Sequence, residues 1–63
     1  MIERERINYL LLSALGSAEL VHRWWTSVNI AFDYATPEQV WQEEPERVAN
    51  YVIKAVNPGG DYF

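Results

Sequence analysis

The chain contains no cysteine, which excludes a disulfide framework, a thiolate nucleophile and any cysteine-ligated zinc or iron–sulfur centre. That absence fits a cytoplasmic protein. Basic residues are scarce: five stand against nine acidic ones, for a net charge of −4. Arg4, Arg6, Arg23, Arg47 and Lys54 are scattered rather than gathered into the stripe that tracks a phosphate backbone, so direct nucleic-acid binding is not expected. Long apolar runs are missing too. The longest, Tyr9 to Leu15, is far short of the roughly 20 residues that cross a bilayer. The opening Glu3-Arg4-Glu5-Arg6 is a balanced charge run, unlike the positive start of a secretory signal. Together these features predict a soluble, cytoplasmic protein with no membrane contact.

What is present is apolar and aromatic. Of 63 residues, 49% are hydrophobic and 14% aromatic, with three tryptophans, too much for a disordered chain to carry. A chain this short forms one domain and buries only about 60% of its unfolded surface. Its stability therefore leans on an aromatic core, on self-association or on a partner. Self-association as a homodimer is the expectation, because so small an apolar-rich chain leaves hydrophobic surface to cover.

Ile7, Leu10, Leu11, Ala14 and Leu15 recur at intervals of three and four and share one helical face, predicting a helix over Glu3–Leu15. Gly16 suits a left-handed stop, Ser17 an N-cap, and Glu19 the positive end of the helix that follows. That helix is predicted over Ala18–Ser27, with Leu20, Val21, Trp24, Trp25 and Val28 as its apolar stripe. Adjacent tryptophans point about 100° apart on a helix, so either the buried face is wide or one ring is left for a partner. Asn29–Ala35 has no clean period and reads as an ordered loop pinned by Phe32 and Tyr34. Thr36-Pro37-Glu38-Gln39 is a helix start, with Thr36 as N-cap, Pro37 at N1 and Gln39 placed for a capping box. The third helix is expected over Pro37–Gln42, turning Val40 and Trp41 inward. Pro45 opens a fourth helix, which runs to Val56 with Val48, Tyr51, Val52, Ala55 and Val56 on one face. Asn57-Pro58-Gly59-Gly60 ends it before Asp61-Tyr62-Phe63. The expected architecture is all-α: a small bundle of about four helices with an ordered loop between the second and third and a short C-terminal tail.

No catalytic constellation stands out. His22 is the only histidine, with no nucleophile beside it and no second histidine for a metal. Glu43, Glu44 and Glu46 lack the alternating oxygen ligands and glycine of a calcium loop, and suit a solvated helix start equally well. No glycine-rich loop follows a strand to cradle phosphate. The chain reads as a non-enzyme with no catalytic residue, no metal and no cofactor. Its terminal aromatic pair, Tyr62 and Phe63, follows a Pro-Gly-Gly hinge and Asp61; it is expected to be exposed in a monomer and then has the make-up of an interaction peg, the alternative being a frayed tail that folds back onto the core.

The run from Ser17 to Val56 resembles the toxin-binding domain of the Xre/MbcA/ParS antitoxin family. The resemblance rests on Arg23-Trp24-Trp25, then Asn29, Phe32 and Thr36-Pro37, with Val40 and Trp41 where the family has leucines. Leu12 to Ser17, with Gly16, looks like the family's short helix before its own turn. Three positions depart from the pattern: Val28 stands where proline is common, Asp33-Tyr34 replace a glycine pair, and Trp25 replaces leucine. The segment between the third and fourth helices is also shorter. On this reading residues 1–16 form an N-terminal helix, 17–56 the family-like core and 57–63 the tail. The helix-turn-helix that commonly precedes such domains is expected to be absent.

The resemblance implies a stand-alone toxin-binding module whose partner is a NAD-consuming toxin, blocked at its active-site entrance by the antitoxin's C-terminal region. By position the contacts fall on helix four and the tail, so Asp61, Tyr62 and Phe63, together with Trp25, are the expected partner contacts. Trp24, Asn29, Phe32, Thr36, Pro37 and Trp41 are the expected scaffold. The alternative is a phage or mobile-element accessory protein of the same fold with an unrelated protein partner.

Overall fold

Each helix boundary follows from a residue whose chemistry starts or stops a helix. The computed structural model describes residues 3–56, and among them the chain forms four α-helices: α1 (Arg4–Leu15), α2 (Ala18–Thr26), α3 (Pro37–Glu43) and α4 (Pro45–Val56). A single 3-10 turn, Ile30–Phe32, lies between α2 and α3. The expected tail, 57–63, lies outside the described residues. Gly16 closes α1 at φ 92°, its N–H donating to the Leu12 carbonyl, a conformation glycine adopts without a Cβ penalty. Ser17 caps α2 by accepting from the Leu20 N–H. Thr36 and Gln39 form the full reciprocal capping box on α3, with Pro37 at its first position. Between α3 and α4 there is only Glu44, whose N–H donates to the Val40 carbonyl at 2.6 Å. Pro45 can then begin α4 because a first-turn residue has no intrahelical use for its N–H.

The four helices wrap a core of Ile7, Leu11, Val21, Trp25, Phe32, Val40, Val48, Ala49 and Val52. α1 and α3 both pack on α4, and α2 packs on α1 and α3. Ile7, Leu11, Val48 and Val52 are wholly buried, each contributing about 1.5–3 kcal/mol of transfer free energy. No helix among the described residues is long and apolar enough to cross a membrane.

The structure corrects several face assignments. On α1, Ala14 is exposed and Leu10 and Leu15 are half-buried, so the buried edge is Ile7 and Leu11. On α4, Ala49 joins the core and Tyr51 stays half-buried. The largest correction is on α2, where only Val21 and Trp25 are buried. They are four residues apart and define a narrow stripe. Leu20 and Val28, expected in the same stripe, are exposed. Tyr34 does not pin its loop but stands out from it, 67% exposed. The α2 and α3 ends also move by one residue, to Thr26 and Glu43.

Candidate protein-docking surface

Trp25, an expected partner contact, is instead the hub of the scaffold, 3% exposed. Its indole N–H donates to Asn8 Oδ1 at 2.6 Å, giving the one polar atom of a buried ring the partner it requires. Its ring meets Trp24 and Trp41 edge-on, with centroids 5.3 and 5.6 Å apart. The Arg4 guanidinium lies over its face, 4.0 Å from the centroid. Arg4 also grips Glu38 in a two-pronged pair, Nη1 to Oε2 at 2.7 Å and Nη2 to Oε1 at 2.5 Å, which ties the start of α1 to the start of α3. The guanidinium holds the Glu38 carboxyl down to about 2, aided by Gln42, and the same pair raises Arg4 further above its ordinary value. A groove of about 360 Å³ opens beside this cluster, lined by Arg4, Asn8, Leu12, His22 and Glu38 among others. Its principal charged groups are already spent on one another.

The residues expected as scaffold differ in their burial. Phe32 is buried, Pro37 is wholly buried, and Trp41 packs against the core. Trp24 is divided between two roles. One side of its ring meets Phe32 edge-on at 6.3 Å and stacks on Tyr51 at 6.4 Å with planes 21° apart. It also lines an open groove of about 230 Å³ with Leu15, Leu20, Arg23, Val28 and Asn29.

Asn29 leads from that groove into the loop and organises it. Its side-chain Oδ1 accepts from the Ala31 N–H at 2.9 Å, and its N–H donates to the Ala35 carbonyl at 3.0 Å. Its own carbonyl accepts from Phe32 and Tyr34. Arg47 of α4 reaches across to Asp33, Nη2 to Oδ2 at 3.3 Å, with its guanidinium 5.6 Å from the Phe32 centroid. The loop is thus fixed at its base, at its middle by Phe32, and at its tip.

The tip carries strain. Ala35 N–H donates to the Phe32 carbonyl across Asp33 and Tyr34, and both central residues have positive φ, 56° and 66°. Turns of this kind prefer Asn-Gly. Aspartate tolerates the left-handed region; a bulky tyrosine there is an outlier worth roughly 1–2 kcal/mol. Among the described residues the Tyr34 side chain makes no hydrogen bond, ion pair or ring contact that offsets this. Ile30, near the other end of the same turn, is 73% exposed. The loop therefore presents two large side chains that the fold itself does not use, continuous through Val28 and Asn29 with the Trp24 groove.

His22 is exposed on α2, its carbonyl accepting from Thr26 Oγ1. Glu43, Glu44 and Glu46 are exposed around the start of α4, and among the described residues no group of three acidic, histidine or cysteine side chains could hold a metal ion. Asp61, Tyr62 and Phe63 lie outside the described residues. Sequence reasoning missed Ile30, Tyr34, Leu20 and Val28 as surface residues. No protein-family model, curated protein or solved structure matches the chain.

Proposed function

We propose that this chain is a non-catalytic protein-binding module that works as a stand-alone antitoxin, docking through the Asn29–Ala35 loop and the α2 flank and occluding a NAD-consuming toxin with its C-terminal region. The observation that carries the docking half is the loop, with Ile30 and Tyr34 exposed on a firmly bonded turn. A pre-ordered surface loses little entropy on binding, and exposed tyrosine is a residue type that dominates interface energetics. Support for the antitoxin half comes from the residues that resemble the family. Asp33 and Tyr34 stand where it has glycines, and both have the positive φ that such glycines serve. The target class rests on that resemblance alone.

The second reading keeps the docking surface and changes the partner. It is favoured by Tyr34 itself, a large contact side chain where the resemblance has glycine. The experiment is a pull-down from source-cell lysate with tagged wild type, an Ile30→Ser/Tyr34→Gly variant and a chain ending at Val56, followed by NAD-hydrolysis assays on what is recovered. Antitoxin action requires a recovered protein whose NAD consumption is suppressed by wild type and by neither variant. Recovery of a loop-dependent partner without NAD-consuming activity selects the second reading. Equal recovery by wild type and the loop variant rejects the docking surface.

A further inference from the structure

The exposed side chains of α2 form a pattern that is complementary to itself when reversed. Leu20 is 43% exposed, and the half-buried Trp24, one turn on, lines an open groove with it. Glu19 and Arg23, also one turn apart, are both exposed and run along one flank of that apolar pair, about 100° around the helix from it. Neither makes an ion pair among the described residues. We propose that a second copy of this chain docks here, the two α2 helices packing antiparallel about a two-fold axis.

Residues four apart on a helix lie about 6 Å apart along its axis and about 40° around it, so each pair makes a short row. A two-fold axis sets each row against its own reverse, and every contact then occurs twice. Placed level with Val21, midway between Glu19 and Arg23, the axis brings each carboxylate opposite the guanidinium of the other copy. Placed level with His22, it brings Leu20 against Trp24 of the other copy. The two placements differ by about 1.5 Å, so one axis serves both rows. Leu20 then enters the groove beside the facing Trp24 as a knob enters a hole. A parallel pair would carry the charged flanks to opposite sides of the seam and leave both ion pairs unmade. The reversal identifies the occupant, because this face supplies both the acid and the base that its own copy needs. At a net charge of −4 two copies repel at large, and the crossed ion pairs favour this one approach. α2 has nine residues, about 14 Å of helix, so the seam is short. It belongs to the weak class of interface below about 1,200 Å² in total, with association expected at about 100 μM. The same flank is part of the proposed docking surface, so on that reading partner and second copy exclude one another there; the pairing of the free protein does not depend on it.

Analytical ultracentrifugation of the purified full chain, from about 10 μM to about 1 mM, tests it. Wild type should show a reversible monomer–dimer equilibrium. Leu20→Ser, at an exposed position, should raise the dissociation constant about tenfold or more. Glu19→Arg and Arg23→Glu each set like charges across the seam, so each alone should stay monomeric. Mixed together, the two charge variants should pair at least as tightly as wild type, since every crossed contact is again between opposite charges. Circular dichroism checks that each variant keeps the helical fold. The proposal fails if wild type is monomeric throughout, if Leu20→Ser associates like wild type, or if the folded charge variants do not pair when mixed. These readings are made without any partner, so their failure leaves the loop-docking proposal standing, and failure of the pull-down leaves this one standing.

Discussion

A single residue, Trp25, decides whether this chain folds, because three kinds of interaction converge on its ring. Burial, the bond to Asn8 and the Arg4 guanidinium over its face are lost together in Trp25→Ala, which should cost about 3–5 kcal/mol, close to the whole stability of so small a domain. Trp25→Phe keeps most of the volume and should cost about 1–3 kcal/mol, much of it from leaving Asn8 without its donor. Urea denaturation separates the two. The Arg4–Glu38 pair is more exposed and is correspondingly weaker, about 0.5–1 kcal/mol once solvent screens it. Glu38 titrates at about 2 when folded, against an ordinary 4.5. Its contribution is therefore complete above about pH 4.5 and is lost as pH falls through about 2. Glu38→Gln should lower stability at pH 7 and flatten this acid limb. If its loss relative to wild type is as large at pH 2 as at pH 7, the ion pair is not the cause. None of this was legible in the sequence, where Arg4 looked like one more scattered charge. Its role depends on α1 and α3 meeting at their first turns, 34 residues apart in the chain.

At the scale of elements the sequence was far more informative, because helix ends are written in local chemistry. Gly16, Ser17, Thr36-Pro37 with Gln39, and Pro45 each act on a neighbour within four residues, and each does in the structure what its residue type suggests. Thr36→Ala should remove one half of the capping box and cost about 1 kcal/mol, measurable as a lowered denaturation midpoint with an unchanged slope. The loop was legible only as a gap between periods, since its order comes from Asn29, buried Phe32 and Arg47 of α4 acting together. The choice between the two adjacent tryptophans was equally hidden. Periodicity puts them about 100° apart but does not say which direction is inward. That is settled by Val21, one turn before Trp25, and by the partners that α1 and α3 bring to it.

Across the whole molecule, the stabilising contacts gather around Trp25 and the α1–α4 packing, while exposed large apolar side chains stand on α1 (Tyr9, Leu12) and α4 (Ile53) as well as along α2 and the loop beyond it. Leu20, Val28, Ile30 and Tyr34 are exposed together on a 63-residue chain, and Tyr34 holds a backbone conformation that costs stability. A position selected for folding would carry glycine there, so the account expects stability and binding to diverge. Tyr34→Gly releases the left-handed strain, partly offset by the greater freedom of glycine in the unfolded chain, for a net gain of about 0.5–1 kcal/mol. For a domain of this size that raises the melting temperature by roughly 2–8 °C. The most direct measurement is therefore made on Tyr34→Gly itself: its melting temperature beside its affinity for the protein partner that wild type recovers. A higher melting temperature with binding weakened about tenfold or more is the expected result. A variant that gains stability and binds as tightly as wild type would show that this loop is not the docking surface.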